Sequence, residues 1–167
     1  MTKIIDGKAI SAQIKEEVKQ EIAKLKEAGR EVTLAVIQVG DDPASSVYVG
    51  NKKKACAYVG IRSLSYELAK ETTQDELLAL IEKLNKMEDC DGILVQLPLP
   101  EHIDEDKVIA AISPKKDVDG FHTQNVGALC IGEPGFVSCT PAGIIQLLKR
   151  SDISIEGKEC VVIGRSN

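Results

Sequence analysis

The segment YVGNKKKA, residues 48–55, sets a phenol, Tyr48, ahead of three consecutive lysines, Lys52, Lys53 and Lys54, in a chain whose net charge is -5. On a helix each residue advances by about 100°, so Tyr48 and Lys52 share one stripe with Ser45 a turn earlier, while Lys53 and Lys54 point elsewhere. A phenol and an amine on one stripe, in the first turns after a strand's carboxyl end, face the crevice where open α/β sheets bind ligands. The alternative is a solvated helix face. A second candidate is Gln96, an amide at the carboxyl end of the apolar run 93–97. If buried it needs a partner, either a lysine across that crevice or a loop backbone. The third is the turn Asp117-Val118-Asp119-Gly120, with carboxylates on alternate positions. A carboxylate in a pocket can accept two hydrogen bonds from an amidine-like edge such as that of a pterin or guanine ring; before glycine, the same residues also form an Asx turn.

Such groups need elements to hold them, and the apolar pattern supplies an α/β order. Ile10, Ile14, Val18, Ile22 and Leu25 recur at helical spacing within residues 8–28, with Gly29 placed to end the helix. VTLAVIQVG, residues 32–40, is short, rich in branched residues and bounded by turn residues, as a buried parallel strand is. A helical pattern follows over 45–58, then a strand over 61–68, then a helix to residue 87 opened by Thr73 and Glu76 as a capping box. The run 93–97 is a third strand, terminated by Pro98 and Pro100, which cannot donate to a ladder. A short helix at 104–111, a polar turn at 113–122 and a glycine-bearing loop at 127–135 complete the unit. Thr140-Pro141 opens a helix through residue 149, proline suiting the first helical position, and KECVVIGRSN begins a new strand. The expected fold is α/β: a parallel sheet with flanking helices over residues 1–139, then a linker helix and the first strand of another domain over 140–167.

At 167 residues with 43% hydrophobic content, the chain can bury a real core. No run approaches the roughly 18 uninterrupted apolar residues of a membrane span, and MTKIIDGKAI lacks the apolar core of a leader, so the cytoplasm is the expected compartment. Cys56, Cys90, Cys130, Cys139 and Cys160 form no CxxC pair, and His102 and His122 are the only histidines, so reduced thiols and no metal site are expected. Acidic charge with two Phe, three Tyr and no Trp separates the chain from nucleic-acid binders, which present a basic face and stacking aromatics.

Four segments, in order, resemble the methylenetetrahydrofolate dehydrogenase/cyclohydrolase family. VGDDPASSVYVGNKKKAC and GILVQLPLP are similar to its two signatures, PKKDVDGFH to its pterin-binding turn, and TPAGIIQLL with VVIGRSN to the beginning of its cofactor domain. The resemblance implies that Lys52 is the catalytic lysine, Tyr48 its neighbour lining the folate pocket, Gln96 the amide bonded to the lysine, and Asp119 the carboxylate that holds the pterin. It places Val95 and Leu97 beside Gln96 in the same pocket, and Gly164, Arg165 and Ser166 at the start of the NADP loop. It also implies a Rossmann-like NADP-binding domain beginning in 140–167, tetrahydrofolate derivatives as substrates, a homodimer at full length, and a place in the one-carbon metabolism that serves purine and amino-acid biosynthesis.

The implied chemistry is oxidation of 5,10-methylene-tetrahydrofolate by NADP to the 5,10-methenyl cation, then hydrolysis of that cation to 10-formyl-tetrahydrofolate in the same pocket. Hydrolysis requires water to attack an amidinium carbon and lose a proton, which an amine held partly out of water can assist. Hydride transfer needs mainly orientation. By the same resemblance, members continue past GRS with roughly another hundred residues of dinucleotide-binding fold, so most of the NADP site is expected beyond these residues. The competing readings are a monofunctional dehydrogenase of this family and a folate-binding or assembly module without turnover. The joint presence of Lys52 and Gln96 favours the bifunctional enzyme.

Overall fold

The computed structural model describes residues 4–164. Asp6 begins the first helix by accepting from the Ala9 N–H at 3.0 Å, and α1 runs Gly7–Glu27. β1 (Thr33–Val39) leads to α2 (Pro43–Val59), whose cap Asp42 accepts from the Ser45 N–H at 2.7 Å and whose proline occupies the first turn, where no N–H is needed. β2 (Arg62–Leu68), α3 (Gln74–Lys86) and β3 (Gly92–Val95) follow, α3 opening on the expected reciprocal bonds between Thr73 and Glu76. Then come α4 (Glu105–Ala111), α5 (Thr123–Ile131) and α6 (Cys139–Lys149).

The strands form one parallel sheet in the order β2-β1-β3, with Thr33 opposite Arg62, and Leu34 opposite Gly92. Because strand side chains alternate between faces, β1 and β3 divide their apolar residues between two layers. Ala35, Ile37, Val39, Ile93 and Val95 pack with Leu77, Ile81 and Leu84 of α3 and Val108 of α4. On the opposite face Val36 and Leu94 meet Val49 of α2. Ile37, Leu77, Ile81, Leu84 and Ile93 are at most 1% exposed, each contributing about 1.5–3 kcal/mol by burial. That core fixes the carboxyl ends of β1 and β3 beneath α2.

The polar turn after α4 is tied to this frame. Lys116 Nζ donates to the carbonyls of Leu84, Asn85 and Met87 at 3.0, 2.9 and 2.7 Å, satisfying acceptors that the end of α3 leaves open. The Asn85 side chain donates to Ala111 O at 2.8 Å and accepts from the Ser113 N–H at 2.9 Å. Ile93 N–H donates to Lys116 O at 2.7 Å, and Ile93 forms a parallel bridge with Asp117, so the turn lies along the outer edge of β3.

Three expectations need correction. The glycine-bearing loop at 127–135 is helical over its first half: His122 Nδ1 accepts from the Gln124 N–H to open α5, and Gly132, in the left-handed region, closes it. Gly127 sits inside that helix with open space around it, so its cost there is only the usual glycine penalty. The segment 160–164 forms no strand; Val161, Val162 and Ile163 are 87–97% exposed. A strand needs a neighbour for its N–H and C=O groups, and the β3 edge is occupied by the Asp117 segment. α6 begins at Cys139, which puts Pro141 third in the helix instead of first. It rests on α1, where Arg150 donates to both Glu17 carboxylate oxygens at 2.7 and 2.6 Å.

Candidate functional site

Lys52 lies mid-way along α2, and its ammonium donates to Gln96 Oε1 at 2.9 Å. Gln96 is well held for that role. Its N–H donates to Ile37 O at 2.8 Å, carrying the ladder one residue past β3, and its Nε2 donates to Leu97 O at 2.7 Å. Only Oε1 then faces the lysine. Lys53 turns instead to Glu67 on β2, at 2.6 Å, and Lys54 is exposed beside Ala55 and Tyr58 near α1. The hundred-degree advance of the helix thus sends three identical side chains to three different places. Tyr48, one turn before Lys52, is 63% exposed.

The Asp117-Val118-Asp119-Gly120 turn splits its two carboxylates. Asp117 is 2% exposed and accepts from Gly120 N–H at 3.1 Å, His122 N–H at 2.8 Å and Asn125 Nδ2 at 2.9 Å. Val118 packs under α2 against Gly92: a Cβ on Gly92 would stand 2.5 Å from Val118 Cγ1, so glycine is needed there. Gly120 has a φ of +68°, and its Cβ would stand 2.9 Å from Phe136 O and Ser138 N, so only glycine lets the 136–138 backbone close on the turn. Asp119 is left without a hydrogen bond or ion pair among the described residues. Burial pushes its carboxyl above the usual aspartate range; the Lys52 ammonium opposes that rise and the Asp117 charge adds to it. A hydrogen bond thus joins Lys52 to Gln96, and Asp119 is a carboxylate unpaired among the described residues whose charge the Lys52 ammonium favours.

The remaining expected site residues are Val95, Leu97, Gly164, Arg165 and Ser166. Val95 is buried in the α3-side core and Leu97 packs against the same cluster, opposite to the α2 side. Val95 sits within β3 and Leu97, half-buried, lies just beyond it, so both adjoin Gln96 along the main chain. Gly164 is exposed and outside any strand, and Arg165 and Ser166 lie outside the described residues. Sequence reasoning missed Asn125, which lies between the expected turn at 113–122 and the expected loop at 127–135. The signal was the polar His122 followed by a nine-residue stretch closing on Gly132, a helix with caps at both ends. Among the described residues no cluster of His, Cys, Asp and Glu could hold a metal ion, and no helix is long and apolar enough to cross a membrane.

The model of the tetrahydrofolate dehydrogenase/cyclohydrolase catalytic domain matches residues 5–119. The chain belongs to that family. The family's NAD(P)-binding domain matches residues 138–167, so the chain also carries the first part of a cofactor domain. The bifunctional protein FolD of Agathobacter rectalis is 72% identical over 167 residues, which is 100% of this chain and 60% of that protein. The crystal structure of the FolD dehydrogenase/cyclohydrolase from Campylobacter jejuni superposes with a TM-score of 0.96 at 54% identity, covering 98% of this chain and 58% of that one. The Trypanosoma brucei FolD structure, complexed with NADP cofactor and inhibitor, superposes with a TM-score of 0.89 at 38% identity, covering 94% of this chain and 54% of that one. The chain therefore spans somewhat more than half the length of these tetrahydrofolate dehydrogenase/cyclohydrolase relatives.

The described residues do not by themselves fit a dinucleotide. Gly164, the one described member of the expected NADP loop, belongs to an exposed segment with no sheet beneath it. Dinucleotide loops owe their shape to a strand leading into a helix N-terminus, and 160–164 is not a strand.

Proposed function

We propose that residues 1–139 are the folate-binding catalytic unit of a bifunctional enzyme of one-carbon metabolism, and that 140–167 begin its NADP-binding domain. The enzyme oxidises 5,10-methylene-tetrahydrofolate to the 5,10-methenyl cation with NADP and hydrolyses the cation to 10-formyl-tetrahydrofolate. It acts in the cytoplasm as a homodimer and supplies purine and amino-acid biosynthesis. The observation that carries the reading is the Lys52–Gln96 hydrogen bond beside an unpaired, half-buried Asp119.

In the hydrolysis, water oxygen bonds to the amidinium carbon while Lys52, acting as the neutral amine after giving a proton to solvent, takes up the water's proton. The bond from that carbon to N5 then breaks, N5 takes up a proton, and the formyl group stays on N10; one proton is released overall. Gln96 holds the amine through a single acceptor, leaving its other valences for the proton exchange. Asp119 accepts from the ring N–H and amino group of the pterin, a pair of donors that suits a carboxylate and orients the folate along α2. Tyr48, exposed on the Lys52 stripe, lines the pterin, while Val95 and Leu97 contribute main chain. Hydride transfer draws on the NADP domain, and no step of it is derived from the residues described. High identity along the whole chain to bifunctional relatives weighs against a binding module without turnover.

The test is the hydrolysis of 5,10-methenyl-tetrahydrofolate, followed by loss of its absorbance, in this chain and in parallel in a protein of its relatives' length. A rate above buffer in the longer protein that disappears in Lys52→Met is expected. A folded protein of that length hydrolysing no faster than buffer overturns the proposal.

A further inference from the structure

The two carboxylates of the Asp117-Val118-Asp119-Gly120 turn have opposite surroundings, and the residue that distinguishes them lies outside the turn. Asn125, on the first turn of α5 and 5% exposed, donates from Nδ2 to Asp117 Oδ2 at 2.9 Å and to Pro114 O at 3.0 Å, while its Oδ1 accepts from the Phe136 N–H at 3.4 Å. It thereby joins three separate stretches of chain around Asp117.

Either aspartate of such a turn can take up downstream backbone amides, because an Asx-type bond needs only a carboxylate two or three residues ahead of the N–H. The His122 N–H is three residues beyond Asp119, yet it is held by Asp117 Oδ2 at 2.8 Å, the same oxygen that accepts from Asn125. We propose that Asn125 is a positioning residue: by fixing Asp117 on the Gly120 and His122 amides, it keeps the Asp119 carboxylate from closing on its own backbone and leaves it open to a ligand beside Lys52. Without the Nδ2 donor, Asp117 loses its tether to α5, and Asp119 gains access to the amide it otherwise cannot reach. This rests on the reading of Asp119 as the pterin-binding carboxylate.

A double-mutant cycle tests it. Affinity for tetrahydrofolate, kept reduced, is measured by calorimetry in the parent, Asn125→Ala, Asp119→Asn and the double variant, with thermal midpoints alongside. Asn125→Ala and Asp119→Asn should each weaken binding by roughly tenfold, and the double variant should bind no more weakly than Asp119→Asn alone, because one effect acts through the other. In the hydrolysis assay the Asn125→Ala loss should fall on KM with kcat within about twofold, as lost positioning of the bound ring requires. If Asn125→Ala does not fold, Asp117→Asn carries the same cycle from the other end of the bond. Unchanged affinity in Asn125→Ala, or losses that add in full, overturns the inference while leaving the folate reading standing. Unchanged affinity in Asp119→Asn overturns both.

Discussion

Replacing Lys52, Lys53 and Lys54 one at a time by methionine separates chemistry from surface charge. Methionine keeps the length and the apolar stem while removing the ammonium. For Lys53 the loss is the bond to Glu67 at 2.6 Å, between side chains 36% and 69% exposed; a pair that open to water contributes about 0–1 kcal/mol. Lys54 is exposed and makes no ion pair among the described residues, so its change should stay within about 0.5 kcal/mol. Lys52→Met removes the donor to Gln96 Oε1 and leaves a half-buried acceptor unpaired, while also relieving the cost of a partly desolvated cation; the two offset, and the net should be about 1 kcal/mol. Stability therefore hardly distinguishes the three variants. Rate should: losing the group that exchanges a proton with the attacking water costs roughly 10²- to 10⁴-fold, or about 3–5 kcal/mol in the barrier. Methenyl hydrolysis and thermal midpoint, measured for all three, decide the matter. If Lys53→Met or Lys54→Met loses as much rate as Lys52→Met at an unchanged midpoint, the assignment of Lys52 is wrong.

Asp119→Asn should weaken tetrahydrofolate binding by about 1–3 kcal/mol, yet raise the midpoint of the unliganded protein at neutral pH. Burial raises the folded-state pKa of Asp119, so its contribution to stability is fully present below the pKa of an unfolded aspartate and is lost as pH rises through the folded value. The advantage of Asn should accordingly shrink as the pH is lowered, and an advantage that grows in acid would refute the sign. Gly120→Ala should destabilise by at least about 1–2 kcal/mol from the left-handed backbone alone, with a further loss because its Cβ meets Phe136 O and Ser138 N at 2.9 Å; an unchanged denaturation midpoint would count against that packing. Backbone amides across 160–164 should exchange at nearly unprotected rates, since Val161 to Ile163 are exposed and outside the sheet; strong protection in a monomer would contradict it.

The elements legible from sequence were those whose signal is local. The apolar runs of β1 and β3 and the Thr73–Glu76 cap lie within short windows and took the expected form. The separation of Lys52 from Lys53 and Lys54 also follows from helical geometry alone. What stayed hidden depends on contacts distant in sequence. Gln96 offered two partners on paper, and only the packing of α2 over the sheet brings the lysine 44 positions away to its Oε1. The two carboxylates of the DVDG turn are indistinguishable in sequence, because the group that tells them apart is Asn125, in a helix whose second half the sequence reads as loop. VVIG has strand composition but no ladder to join, and composition cannot report the absence of a neighbour.

That Lys52 is bonded to an amide and not to a carboxylate bears on how the proposed site works. A lysine closed on Asp119 as a direct ion pair would settle both charges and fill the space a ligand needs. Gln96 Oε1 instead holds the amine at 2.9 Å by one neutral acceptor, while Asp119 is near enough to feel the lysine's charge without bonding to it. The cost of this arrangement is concentrated on Asp119, which gives up hydration and receives no donor from the described residues in return. On the proposed reading a pterin edge supplies two donors where water was lost, so part of the affinity for folate is relief of a penalty that the unliganded carboxylate already carries. The same reasoning explains why one substitution, Asp119→Asn, should make the protein more stable and a poorer folate binder at once: the group that destabilises the fold is the group that the ligand satisfies.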